Sequence, residues 1–157
     1  MFFQDFRRRK EVNQPKMHTY TLRTYRPGAA QEQNSFYLLN KGLNSGKPLS
    51  TPCPNCYELA APNEEGQAFF YWLCYSLWQS KRFELYLRGS AILFIIISDT
   101  KQCINQAAAK AQNNLPEFER SVRLLQEIEK VETNYRNSLL LLKKAKQRAG
   151  HFLISLK

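Results

Sequence analysis

Residues 63–79 have the sequence NEEGQAFFYWLCYSLWQ, and this stretch decides the fold. Asn63 followed by Glu64 and Glu65 predicts a helix start, because an Asn side chain caps free backbone N–H groups and acidic residues stabilise a first turn. The run from Phe69 to Trp78 leaves almost no polar face. A helix that is apolar on most sides must be covered on most sides, so we expect this helix at the centre of the core. An aromatic surface for stacking on bases or entering a membrane is the alternative.

After this helix the sequence predicts a β-hairpin. Residues 83–88 alternate in polarity, Gly89 and Ser90 suit a two-residue turn, and residues 91–97 are continuously apolar. The second of these strands, apolar on both faces, is expected at the middle of a sheet. Ser98 or Asp99 then caps a helix to about residue 112, with a face of small or apolar residues at Cys103, Ile104, Ala107, Ala108 and Ala111.

Before the aromatic helix, two elements and a loop are predicted. Residues 18–25, HTYTLRTY, are rich in β-branched and aromatic residues and predict a strand. Residues 30–43 space Phe36, Leu39 and Leu43 as a helix would. Residues 44–57 contain three prolines and predict an ordered loop.

A long helix is predicted over residues 117–149, which contain neither Gly nor Pro. Unbroken, it measures about 50 Å, longer than the diameter of about 40 Å expected for a compact chain of this size. The helix therefore pairs with a partner or breaks near Thr133, Asn134 and Asn137, which are weak helix formers. Its apolar row advances by about 3.4 residues a step, which favours intramolecular packing or an antiparallel partner over a parallel coiled coil. The row consists of Phe118, Val122, Leu125, Ile128, Val131, Tyr135, Leu139, Leu142 and Ala145.

The fold class is therefore predicted as α+β, with a small sheet containing a hairpin, an aromatic helix packed on it, and a long C-terminal helix or helical pair. Residues 17–157 are interpreted as a single domain and residues 1–16 as a basic, mobile tail, with Met17 as an alternative natural start. The composition, 43% hydrophobic with 13% aromatic, excludes a disordered chain. No secretory signal or membrane-spanning segment is recognised, because the longest apolar run has seven residues, Ala91 to Ile97. A cytoplasmic location is expected.

Basic residues exceed acidic ones by 23 to 13, giving a formal charge of +10. This excess favours a nucleic-acid partner. The candidate phosphate-binding residues are Arg7, Arg8, Arg9, Lys10, Arg23, Arg26, Lys143, Lys144, Lys146 and Arg148. The last four also suit the C-terminal turns of a helix, where cations stabilise the helix dipole. A protein-interaction or oligomerisation module that uses helix 117–149 is the alternative function.

The motif Cys53-Pro54-Asn55-Cys56 is a CxxC that resembles half of a zinc knuckle. The second half is missing, so Cys74, Cys103 or His18 would have to complete a zinc site. An unmetallated tight turn and a redox site are the other interpretations. The expected cofactor is none, or one structural zinc ion.

No catalytic residues are predicted. The segment Gly42 to Pro48 is one residue short of a phosphate-binding loop, has Pro48 in place of the hydroxyl residue, and follows a predicted helix rather than a strand. No pair of carboxylates is placed in a cleft by the pattern. The chain is interpreted as a non-catalytic binding protein.

Several segments together resemble a family of short uncharacterised bacterial proteins common in Bacteroidetes. They are residues 40–48, Pro52 to Cys56, the aromatic run from Phe69 to Trp78, and Arg88-Gly89-Ser90. The resemblance covers about residues 17–105. It implies a bacterial intracellular protein of unknown function and supplies no catalytic residue.

Overall fold

The structure, a computed structural model, describes residues 18–155 and has the predicted α+β architecture. Four strands form one antiparallel sheet: β1 (Thr21–Thr24), β2 (Ser35–Leu39), β3 (Pro48–Leu49) and β4 (Cys56–Ala60). Three α-helices follow within this part of the chain: α1 (Glu64–Gln79), α2 (Ile97–Asn113) and α3 (Leu115–Ser155), with a 3₁₀ helix at Arg82–Tyr86 between the first two. The chain divides into two compact units between Asn113 and Asn114. The predicted tail, residues 1–16, lies outside the described residues.

The sheet of the first unit has the strand order β1-β4-β2-β3, so β4 lies between the first two strands. The register places Leu22, Leu59 and Phe36 side by side across three strands. All three are buried, and they share one face because successive side chains of a strand point to opposite faces. They form the base of the core.

Helix α1 confirms the central prediction from the sequence. The Asn63 side chain accepts a hydrogen bond from the Gly66 N–H at 2.8 Å, as an N-cap should. The helix packs against β2, β3, α2 and the 3₁₀ helix, and the ring of Tyr71 meets that of Phe36 edge-on at 5.4 Å. Its apolar residues are core rather than an exposed aromatic surface; the buried ones are Phe69, Phe70, Leu73, Cys74, Tyr75 and Leu77.

Helix α2 lies close to where the sequence places it, but it begins at Ile97, so the predicted caps Ser98 and Asp99 lie within its first turn and the cap prediction is wrong. Its predicted face of small or apolar residues faces the core, and Cys103, Ile104, Ala108 and Ala111 are buried. The Tyr20 hydroxyl donates a hydrogen bond to Asn105 at 2.8 Å and so ties the chain before β1 to this helix.

The first predicted strand, residues 18–25, is confirmed in its central part by β1, but the helix predicted over residues 30–43 is wrong. The chain there forms β2, preceded by Asn34 in the left-handed conformation with φ of 53°. Phe36, Tyr37 and Leu38 are all buried, because both faces of this strand are covered. A strand buried on both faces does not alternate between apolar and polar residues, and the spacing of its apolar residues here is similar to that of a helix.

The loop predicted over residues 44–57 contains β3 and the first two residues of β4. Pro48 is tolerated in β3 because this strand is at the edge of the sheet, where a proline without an N–H group leaves no partner unpaired.

The predicted hairpin, residues 83–88 and 91–97, is wrong as a pair of sheet strands. Residues 82–86 form the 3₁₀ helix, and Arg88 exchanges two 2.9 Å backbone hydrogen bonds with Phe94 in an isolated bridge. Ile92 is exposed and only Ile95 of the apolar run is buried, so the run is not a central strand. The Ile95 N–H binds the Asn40 carbonyl at 3.0 Å, which docks the segment on the loop after β2.

Gly46 has a φ of +89° and lies under the ring of the buried residue Phe83. A Cβ atom at this position would stand 2.1 Å from a ring carbon of Phe83. The contact joins the β2–β3 connection to the 3₁₀ helix, and only glycine satisfies both its conformation and its closeness.

We predict that Gly46→Ala lowers the free energy of unfolding by about 2–5 kcal/mol, since it adds the cost of a left-handed conformation to that of overpacking. Gly42→Ala is the matched control, because Gly42 has a φ of +88° but nothing within 4 Å of its would-be Cβ. The control should cost only about 1–2 kcal/mol. Chemical denaturation followed by circular dichroism measures both. Equal losses in the two variants would show that the Phe83 ring yields to the new methyl group.

Candidate functional site

Helix α3 belongs to the second unit and is continuous over its 41 residues. Pro116 is accepted because it stands in the first turn, where its missing N–H has no partner to lose. Thr133, Asn134 and Asn137 do not break the helix, and the Ser138 hydroxyl bonds back to the Asn134 carbonyl at 2.9 Å. Of the two predicted forms of the C-terminal region, the structure has the single long helix rather than the helical pair.

None of the described side chains of α3 is buried. Six large apolar residues recur at steps of 4, 3, 4, 4 and 3 and are 51% to 69% exposed. At 100° per residue they fall within an arc of about 80°, so they form one stripe along the helix. We call this stripe the apolar row; it comprises Leu124, Ile128, Val131, Tyr135, Leu139 and Leu142.

The apolar row contains five residues of the row predicted from the sequence, those from Ile128 to Leu142, and differs from it at the two ends. Phe118, Val122 and Leu125, the first three residues of that prediction, are half-buried and lie outside the arc of the stripe. The exposed row instead starts at Leu124 and repeats after 11 residues, with Tyr135 at the equivalent place in the second repeat. A shallow groove runs along it, lined by apolar row residues and flanked by Glu127, Glu132 and Arg136.

Charge is distributed unevenly along α3. Residues 115–132 contain five glutamates and three basic residues, a net charge of −2, whereas residues 133–155 contain five basic residues and no acid, a net charge of +5. Four of these cations lie within six residues of one another and are exposed: Lys143, Lys144, Lys146 and Arg148. Among residues 18–155 none of the four has a carboxylate within ion-pair distance. We call these four residues the basic cluster.

Arg23, a predicted phosphate-binding residue, is engaged within the first unit. Its guanidinium lies 2.8 Å from the carboxylate of Glu58 and 3.0 Å from that of Glu32, and it donates to the Ala30 carbonyl at 3.0 Å. Glu58 is 3% exposed and stands beside Arg23 in the register of β1 and β4. The arginine therefore compensates a buried charge.

The Glu58 carboxylate also accepts a hydrogen bond from the Glu32 N–H at 3.1 Å. Burial acts to raise its pKa, but the hydrogen bonds from Arg23 and from the Glu32 backbone outweigh this effect, and the pKa is lowered. The two residues fasten the chain segment 25–34 over the face of the sheet opposite α1. The sequence had no obvious signal for Glu58 except a charged residue inside an apolar run, CYELA.

The other cations are not brought together with Arg23 by any contact in the described chain. Arg26 is exposed in the turn after β1, whereas the basic cluster belongs to the second unit. Arg7, Arg8, Arg9 and Lys10 lie outside the described residues.

Cys53 and Cys56 form a tight turn at the start of β4. The Cys56 thiol donates to the Cys53 carbonyl at 2.8 Å and accepts a weak bond from the Cys53 N–H at 3.4 Å. Burial raises the pKa of the Cys56 thiol to about 11, so it is protonated at neutral pH. A protonated thiol is not a nucleophile at neutral pH, so Cys56 is not suited to a redox role.

The residues expected to complete a zinc site have other surroundings. His18 stacks on the ring of Phe69 at 4.6 Å, whereas Cys74 and Cys103 are buried in α1 and α2. Burial raises the pKa of both thiols, that of Cys103 to about 11. Among the described residues, no group of three or more His, Cys, Asp or Glu side chains is placed to hold a metal ion. In residues 18–155, no helix is both long enough and apolar enough to cross a membrane.

Comparison with known proteins identifies the family. The model of a family of unknown function, DUF6943, matches residues 22–151, and the chain belongs to this family. The match extends beyond the resemblance predicted over residues 17–105 and includes most of α3. No curated protein matches the chain.

We predict that Glu58→Gln lowers the free energy of unfolding by about 1–3 kcal/mol at pH 7, because Arg23 loses the charge it compensates. The pKa of Glu58 is lower in the folded than in the unfolded chain, so its contribution is present above about pH 4.3 and is lost as the pH falls below that value. The difference in the free energy of unfolding between wild type and variant should therefore decrease as the pH falls from 7 to 3.

Urea denaturation at several pH values measures this gap. Glu84→Gln is the control, since Glu84 lies at the surface with a 3.7 Å contact to Lys81, and its effect should stay below about 0.5 kcal/mol. A gap for Glu58→Gln that is constant with pH would show that the ionised carboxylate contributes nothing to folding.

Proposed function

We propose that this protein is a non-catalytic binding protein whose helix α3 associates with another polypeptide through the apolar row. One observation carries the proposal: six large apolar side chains on one stripe of the helix are more than half exposed. Contiguous exposed apolar patches on soluble proteins typically mark interaction sites. Apolar anchors spaced three and four residues apart are the pattern by which a helix docks on another helix or in a groove.

The energetics of a solitary helix support the same function. Isolated helices draw little stability from propensity, and most helical stability in proteins comes from packing an apolar face. Covering six half-exposed side chains at roughly 25 cal/mol per Å² would contribute on the order of 1 kcal/mol for each. An apolar row exposed to water lacks this stabilisation, whereas an apolar row covered by a partner has it.

Nucleic-acid binding is the second candidate, and the observation that favours it is the basic cluster. Four exposed cations without ion pairs in the described chain could neutralise phosphates, and the net charge of +10 would raise the local concentration of polyanions. Arg23 adds little to such a surface because Glu58 and Glu32 already neutralise it.

The origin, the cellular location and the metal content of the protein remain predictions. A bacterial origin and a cytoplasmic location are expected from the resemblance and the sequence pattern. The bonded, protonated thiol of Cys56 favours an unmetallated turn over structural zinc, and the metal content of protein purified without chelator is the deciding measurement.

The association is tested by light scattering on the full chain over a range of protein concentration and salt. We expect a mass above the 18.4 kDa of one chain that persists at high salt, because an apolar seam is insensitive to ionic screening. The double variant Val131→Glu/Tyr135→Glu should reduce the mass to that of one chain. A wild-type mass of one chain under all conditions would exclude association of the apolar row with a second copy of the chain.

The second candidate has a separate test, a salt titration of binding to double-stranded DNA and to RNA. Changing Lys143, Lys144 and Lys146 together to Ala should reduce the slope of log K against log salt on DNA by about 2–3 if these residues contact phosphates. The triple change Glu119→Gln/Glu127→Gln/Glu129→Gln is the control, because it alters α3 without removing a cation. An unchanged slope in the lysine variant would show that these lysines do not contact phosphates and instead stabilise the end of the helix dipole.

A further inference from the structure

We propose that the partner of α3 is a second copy of the same helix, running antiparallel, with the two-fold axis passing near residue 133. This inference rests on the proposed function and adds to it the identity and the direction of the partner. Three features of the described helix support it: the spacing of the apolar row, the division of charge along the helix, and the area available for burial.

The spacing of the apolar row is nearly the same when the helix is read in the reverse direction. Reversing the helix about residue 133 brings Leu124 opposite Leu142 and Val131 opposite Tyr135. Ile128 then stands opposite position 138, one residue from Leu139. Self-complementarity of one patch under a two-fold rotation is the requirement for an isologous dimer, and a row without this symmetry would not meet it.

The charges select the direction of the partner. An antiparallel pair places the half of net charge −2, residues 115–132, against the half of net charge +5, residues 133–155, at both ends of the seam. A parallel pair would place the two +5 halves together, which costs free energy by repulsion. The basic cluster of one copy would lie beside residues 118–123 of the other, which contain Glu119, Arg120 and Arg123 and have a net charge of +1. In a parallel pair it would lie beside the four cations of the other basic cluster, so the repulsion is smaller in the antiparallel pair.

The area is sufficient for a dimer of this kind. Six side chains that each lose on the order of 100 Å² would bury on the order of 600 Å² per helix, or about 1,200 Å² for the pair. This value lies at the lower limit of specific protein interfaces. The groove along the row has acidic and basic residues at its edge, Glu127, Glu132 and Arg136, as the polar rim of an interface does.

The seam is tested with two double variants of the full chain that differ only in the helix face they alter. Val131→Glu/Tyr135→Glu places four carboxylates around the two-fold axis and should dissociate the dimer. Leu140→Glu/Leu141→Glu changes two residues that are 51% and 66% exposed but lie on other faces of α3, so the dimer should remain. Equal dissociation in both variants would show that the apolar row is not the seam.

The direction is tested by electron spin resonance distances between two labelled copies. Labels are attached at Asn134→Cys or at Glu119→Cys, each in a Cys53→Ser background, since the other three native cysteines are buried. At 1.5 Å per residue, an antiparallel pair puts the labels at position 134 within about 20 Å of each other and those at position 119 more than about 40 Å apart.

The outcomes separate the two proposals. Similar, short distances at both positions indicate a parallel pair and overturn this inference while leaving the row-dependent association intact. A long distance at position 134 places the two-fold axis elsewhere and also overturns it. A wild-type chain that stays monomeric at the highest soluble concentration overturns this inference, because no second copy is bound, and leaves a different polypeptide as the partner in the proposed function.

Discussion

Helix α1 is apolar around most of its circumference, and the first unit is arranged to cover it. The sheet lies against it at β2 and β3, α2 packs along it, and the 3₁₀ helix closes a further side. Phe83 reaches its buried position only because Gly46 has no side chain to obstruct the ring. The covering elements also contact one another, so the central helix and its surroundings form one core.

On the face of the sheet opposite α1, the main interaction is a different one, the compensation of a buried charge. Glu58 is almost completely buried and depends on Arg23 and on the backbone of Glu32. Together they fasten the segment between β1 and β2 to the sheet. The segment covers the face of the sheet opposite α1, which is why β2 and β4 have both faces buried.

The elements that could be predicted from sequence are those whose own residues determine them. Residues 63–79 carry their cap and their apolar face within one segment, and α2 carries its face of small residues in the same way. The segments at 30–43 and 83–97 depend instead on distant partners: Phe36 is buried by Tyr71, and Ile95 is fixed by Asn40. Local spacing resembles a helix in the first case and a strand in the second, and tertiary contacts override both.

The candidate site on α3, like the fold, could be predicted from the sequence only in part. The absence of Gly and Pro predicts a helix over residues 117–149, whereas α3 continues through Gly150 to Ser155. The predicted row contains the exposed stripe from Ile128 to Leu142 but not its start at Leu124. Phe118 and Leu124 are equally apolar in the sequence, but only the structure separates the half-buried residue from the exposed one. The role of Glu58 was hidden for the same reason, since its partners are 26 and 35 residues away.

The order of the elements along the chain has a consequence for folding during synthesis. All strands of the sheet precede α3, and translation of the 64 residues from the end of β4 to Leu124 takes about 3–13 seconds at ordinary rates. Small domains fold in microseconds to seconds, even when they depend on distant pairings such as that of β1 with β4. The strands therefore have time to pair before the apolar stripe emerges from the ribosome. Unpaired strand edges and an exposed apolar helix, the two surfaces most prone to misassociation, are separated in time.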